Sequence, residues 1–106
     1  MSRIYISGPV TKNQSYIHDF KLAEIYLYGK IAREELEYDS VINPAAVCNQ
    51  LPTDLTHEDY MRICFSMMDL CSGIYMLKDW QGSIGAKMEL VYASNKQMQI
   101  IYESED

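Results

Sequence analysis

Hydrophobic positions along the chain alternate between a short period and a long one. Arg3 to Ser7 (RIYIS) is β-branched and aromatic and is halted by Gly8-Pro9, which reads as a short strand and a turn. From Asn13 to about Glu37 the period lengthens to that of a helix. Ile17, Phe20, Ala23 (or Glu24) and Leu27 recur there, with His18, Asp19 and Lys21 between them. Gly29 can bend or end this helix, yet Lys30 to Glu37 contains good helix formers, so its exit stays open. Ser40-Val41-Ile42 reads as a second short strand closed by Asn43-Pro44, and residues 45 to 55 as a loop with room for one helical turn. Thr56 is an N-cap, because Thr56-His57-Glu58-Asp59 puts carboxylates in the first turn of the helix that follows. That helix runs to about Leu70, with Tyr60, Ile63, Cys64, Met67 and Met68 as its inner stripe. Gly73 to Leu77 is a third strand, Lys78 to Gly82 a loop, Ser83 or Ile84 to Asn95 a third helix, and Gln97 to Tyr102 a fourth strand. Glu103 to Asp106 are left as a frayed acidic tail, so the domain is taken as residues 1–102.

This alternation predicts one doubly wound α/β domain, a mostly parallel sheet of about four to five strands with helices on both faces. In such a sheet ligands bind beyond the carboxyl ends of the strands. The loops leaving those ends are Ser7-Gly8-Pro9, Asn43-Pro44-Ala45 and Lys78 to Ser83, all with small or conformationally special residues suited to close backbone approach.

The third helix carries the sharpest chemistry. Gly82, Gly85 (or Ala86), Glu89 and Ala93 share one face, bare except for a single carboxylate, while Ile84, Met88 and Val91 form an adjacent apolar stripe expected to anchor the helix on the sheet. Either that carboxylate meets a ligand, or the small residues serve packing alone and Glu89 is solvated at an edge. Tyr5 faces the layer opposite Ile4 and Ile6, and its hydroxyl needs a partner, a carboxylate or a backbone carbonyl. Trp80 stacks on a base or sugar, or lids the core. Gly82-Ser83-Ile84-Gly85 is a short glycine turn before a helix whose amides can hold a phosphate, although neither Walker A nor GxGxxG is present.

Composition narrows the partners. The 106 residues carry 9 Lys+Arg against 15 Asp+Glu, a formal charge of -6, which argues against a nucleic-acid polymer as ligand. The three cysteines, Cys48, Cys64 and Cys71, form no CxxC pair, and with no signal peptide in the sequence a reducing cytoplasm is the expected setting. His18 and His57 show no zinc-ligand spacing with them, and no apolar run is long enough to span a bilayer. Exposed sheet edges and apolar helix faces lead us to expect a homo-oligomer, with Tyr16, Tyr26 and Tyr28 as a candidate interface.

Ile4-Tyr5-Ile6-Ser7-Gly8-Pro9, Asn43-Pro44-Ala45, and the block Met76-Leu77-x-x-Trp80-x-x-Ser83-x-Gly85-Ala86-x-x-Glu89-x-x-x-Ala93 resemble the nucleoside 2-deoxyribosyltransferase-like superfamily, in particular its small bacterial and phage members. The resemblance covers nearly the whole chain. It implies a flavodoxin-like fold, no cofactor or metal, and a nucleoside or nucleotide substrate. On it, Glu89 is the nucleophile and Tyr5 holds that carboxylate. Ser7, Gly8, Pro9, Asn43, Asp79, Trp80, Ser83 and Gly85 are the residues expected around the substrate. The implied activity is N-glycosidic cleavage or base exchange on a 2'-deoxynucleoside or its 5'-monophosphate. Relatives often have acids where this chain has Cys64, Ser72 and Ser83, and Asp69 and Asp79 are the substitutes to consider. Those losses favour a competing reading, a non-catalytic nucleotide- or nucleotide-sugar-binding module, and a third, an interaction protein with a vestigial site.

Overall fold

In the computed structural model, which describes residues 2–10 and 15–105, four strands form one all-parallel sheet in the order β2-β1-β3-β4. The elements are β1 (Arg3–Ser7), α1 (Ser15–Ala32), β2 (Ser40–Ile42), α2 (Pro44–Cys48), α3 (His57–Met68), β3 (Gly73–Met76), α4 (Ile84–Asn95) and β4 (Gln99–Tyr102). This is the single α/β domain predicted, and its radius of gyration, 13.0 Å, is that of one folded unit of this length. The chain goes outward from β1 to β2 and then returns across it to β3, so the strand order reverses between β1 and β3. A crevice opens at such a reversal.

The alternation of β1 sorts the core into two layers. Ile4 and Ile6 join Tyr75, Val41 and, from α1, Phe20, Ala23 and Leu27. Tyr5 joins Ile74, Met76, Met68 and, from α4, Ala86 and Ala93. Each fully buried isoleucine contributes roughly 1.5–3 kcal/mol. Thr56 caps α3 as predicted: its hydroxyl accepts from the Asp59 amide at 3.1 Å and the Asp59 carboxylate accepts from the Thr56 amide at 3.0 Å.

Several boundaries differ from the sequence reading. The expected start of α1 at Asn13 lies outside the described residues. Gly29 does not end α1, which continues to Ala32 and exits through Glu34 in the left-handed region (φ 59°). The turn after β2 is a short helix, α2, with Asn43 as its cap and Pro44 at its first position. On α3, Met61 and Met68 are the buried residues, while Tyr60 and Ile63 are only half-buried. The last strand starts at Gln99 because Gln97 turns left-handed (φ 59°). Nor is the tail simply frayed: Glu103–Glu105 form a 3₁₀ turn, and the Glu103 carboxylate accepts the Lys78 amide at 2.8 Å.

The larger correction concerns α4. The expected anchors Ile84, Met88 and Val91 are 70%, 40% and 60% exposed, whereas Ala86, Glu89 and Ala93 are buried on the sheet. The small side chains let the helix approach β1 and β3 closely, and that approach brings the carboxylate within reach of hydroxyls on β1. Close packing and a placed carboxylate are one arrangement here.

Of the α1 tyrosines, Tyr26 and Tyr28 are each 41% exposed, so two of the three stand at the surface. Tyr16 lines the crevice, Tyr26 lies 6.3 Å from the Tyr75 ring, and the Tyr28 hydroxyl accepts from the Val41 amide at 3.2 Å. No helix is long and apolar enough to cross a membrane among the described residues.

Candidate active site

Residues two apart on a strand share a face, so Tyr5 and Ser7 both project toward α4. Their hydroxyls divide the Glu89 carboxylate between them. Tyr5 donates to Oε2 at 2.8 Å and Ser7 donates to Oε1 at 2.6 Å. Both donors are fully buried and Glu89 is 7% exposed, so the solvated-edge alternative does not hold. Burying a charge without partners is costly, and each hydrogen bond to a charged group returns roughly 1.5–3 kcal/mol. With one bond accepted per oxygen, the carboxylate keeps further lone pairs for a ligand.

Glu89 is nonetheless open on one side. Together with Tyr5 it lines a cavity of 660 Å³, within the usual range for small-molecule sites. The cavity sits at the carboxyl edge of the sheet, over the β1–β3 reversal. Pro9, Tyr16 and Phe20 form one wall; His57, Tyr60, Met61 and Cys64, from the first turns of α3, form another. Gly82, Ser83 and Gly85 at the start of α4 complete it, with Ser83 Oγ accepting the Ala86 amide at 3.1 Å as the helix cap.

The titration of the site follows from this burial. Burial pushes the Glu89 carboxyl above the ordinary carboxylate range, and hydrogen bonds from Ser7, Tyr5 and the Cys64 thiol pull it part of the way back. Tyr5 is raised well above a free phenol, first by burial and then by the Glu89 charge, so it remains a donor throughout the physiological range. Among the described residues lining the cavity there is no lysine, no arginine and no second carboxylate; His57 is the one ionisable nitrogen. No group of three or more metal-ligating side chains is present among the described residues.

Of the residues singled out from sequence, Glu89, Tyr5, Gly8, Pro9, Ser83 and Gly85 meet at this cavity. Ser7 belongs to it as well, though as a clamp on Glu89 and not as part of a loop around a ligand. Gly8 has a packing reason for being glycine, since a Cβ there would come within 2.8 Å of the Leu77 side chain. Asn43, Asp79 and Trp80 are not among its lining residues. Asn43 caps α2, accepting from the Ala45 amide at 3.0 Å, and donates to Glu24 at 3.1 Å. Asp79 is a left-handed turn residue (φ 67°), and Trp80 packs 5.9 Å from the Tyr102 ring.

Ser72 precedes β3 at the opposite edge of the sheet, so an acid there would not face the cavity. Asp69 lies at that same edge, accepting from the Tyr92 hydroxyl at 2.6 Å, and substitutes for nothing at the site. Cys64 and Ser83 do line the cavity. Sequence reasoning missed the wall residues Tyr16, Phe20, His57, Tyr60 and Met61. The available signal was positional: each crossover helix begins at the carboxyl edge, so its first turns face the crevice.

No curated protein and no solved structure matches the chain. A family profile matches residues 2–102, nearly the full length. The chain therefore belongs to the family described as domain of unknown function DUF4406.

Proposed function

We propose that the protein cleaves or exchanges the N-glycosidic bond of a 2'-deoxynucleoside or its 5'-monophosphate, with Glu89 as nucleophile. The observation that supports this reading is a buried carboxylate, held at both oxygens by Tyr5 and Ser7, at the floor of a cavity open to a ligand. Glu89 would attack the anomeric carbon through an oxocarbenium-like transition state. The base leaves, a glycosyl-enzyme forms, and water or a second base resolves it. Aromatic side chains of α1 and α3 offer apolar walls for a base, and the first amides of α4 offer donors for a 5'-phosphate. Association into a homo-oligomer belongs to the same proposal, and subunit mass across a dilution series tests it.

The test is mass spectrometry of a pooled nucleoside and nucleotide mixture before and after incubation with the purified protein. Release of free base by the wild type and none by Glu89→Ala is the expected outcome; no release from any member of the pool defeats the reading.

One observation favours a second reading, a binding module that leaves its nucleotide intact. The described cavity walls carry no second carboxylate to protonate a departing base, a form of help typically worth about 10²–10⁴ in rate. This reading expects a ligand-dependent rise in Tm with the ligand recovered unchanged.

A further inference from the structure

A base that departs from a sugar needs a proton, and the described cavity walls hold no second carboxylate to give one. They do hold His57, whose imidazole makes no hydrogen bond or ion pair among the described residues. His57 is the first residue of α3, placed there by the reciprocal Thr56–Asp59 cap. Its ring lies over the start of α4: a Cβ on Gly85 would stand 3.7 Å from His57 Cε1. Gly85 and Glu89 are four apart on that helix, so they share a face at about 5–6 Å from each other. Gly85 has no side chain to come between the imidazole and the carboxylate. Retaining glycosidases keep a similar distance, about 5–5.5 Å, between nucleophile and acid. That spacing lets one group reach the anomeric carbon while the other reaches the leaving group. His57 is also exposed, so its ring can exchange protons with solvent between turnovers. The other histidine, His18, is exposed on α1 and does not line the cavity.

We propose that His57 is the general acid and base of the site, a role that rests on the glycosidic activity proposed above. In the first step a Glu89 oxygen attacks the anomeric carbon. The oxygen–carbon bond forms, the carbon–nitrogen bond breaks, and its electron pair goes to the base. The imidazolium of His57 gives its proton to that base, which leaves neutral. In the second step the imidazole, now neutral, takes a proton from water. The water oxygen bonds to the anomeric carbon as the ester bond to Glu89 breaks. Nucleoside and water give deoxyribose and free base, and both side chains return to their starting states. When a second base replaces water, the same ring takes the proton from its N–H.

The test follows base release by the full chain as wild type, Glu89→Ala, His57→Ala and His18→Ala. Two substrates are compared: the pooled 2'-deoxynucleosides and their 5'-monophosphates, and N7-methyl-2'-deoxyguanosine. The methylated base already carries a positive charge, so it departs neutral without taking up a proton. His57→Ala is expected to lose roughly 10²–10⁴-fold on the pool and less than about tenfold on the methylated substrate. Free imidazole restores part of the loss on the pool. Glu89→Ala loses both substrates and His18→Ala loses neither. An equal loss on both substrates in His57→Ala, or release from the pool at the wild-type rate, overturns the role of His57 and leaves the glycosidic activity standing. No release by the wild type from either substrate strikes the activity, and this role with it.

Discussion

Two tyrosine–carboxylate hydrogen bonds lie at opposite ends of the sheet, and they have little in common beyond their length. Tyr5 donates to Glu89 at 2.8 Å and Tyr92 donates to Asp69 at 2.6 Å. The first is sealed between helix and strand, receives a second donor from Ser7, and borders a cavity. The second stands in water with Lys96 at 3.6 Å from the same carboxylate oxygen. Burial shifts the Glu89 carboxyl upward, whereas Asp69 has solvent and a cation to satisfy it. A short contact alone does not mark a reactive carboxylate. What marks it is a charge kept dry by donors that cannot move away.

The two sites differ most in what removal of the carboxylate does. Glu89→Gln is expected to lower base release by roughly 10⁴-fold, whereas Asp69→Asn leaves it unchanged; steady-state rates on the same substrate decide. Next come the donors. Ser7→Ala and Tyr5→Phe each leave a buried carboxylate oxygen short of a partner, at about 1–3 kcal/mol in urea unfolding, while Tyr92→Phe costs less than about 0.5 kcal/mol.

The same donors set the pH response. Glu89 must be ionised to act, and its carboxyl is raised by burial, so kcat/KM climbs with pH through a limb above the ordinary carboxylate range. Ser7 and Tyr5 stabilise the anion, so removing either moves that limb to higher pH; an unmoved limb would mean that another group controls it. The smallest effect is on stability. A carboxyl whose pKa is raised by folding contributes stability below its unfolded pKa and loses it as pH rises through the folded value. Glu89→Gln therefore raises Tm at neutral pH, by a few degrees for about 1 kcal/mol, and the gain vanishes in acid.

The layering of the domain was legible because it depends on local alternation. Ile4 and Ile6 against Tyr5, and Thr56 against Asp59, involve positions a few residues apart. The orientation of α4 was not legible in the same way. Its apolar stripe and its small stripe have equal periodicity, and an apolar stripe is the usual anchor. The choice turns on hydroxyls from β1, more than eighty residues earlier in the chain, that make burial of Glu89 tolerable. The role of Ser7 was hidden for a related reason: Arg3–Ser7 was legible as a strand, but the partner of the Ser7 hydroxyl is Glu89, 82 residues further along the chain. Asn43, Asp79 and Trp80 sit on the right loops, yet each is engaged in local capping, turning or ring packing.

The parts that hold the carboxylate and the parts that surround its guest come from different places in the chain. Tyr5 and Ser7 are rooted in the central strand, while Tyr16, Phe20 and Tyr60 stand on the opening turns of two helices. Selection can therefore redraw the guest's outline, one wall residue at a time, without retuning the reactive group, and a library confined to those three positions should vary preference while sparing the chemistry.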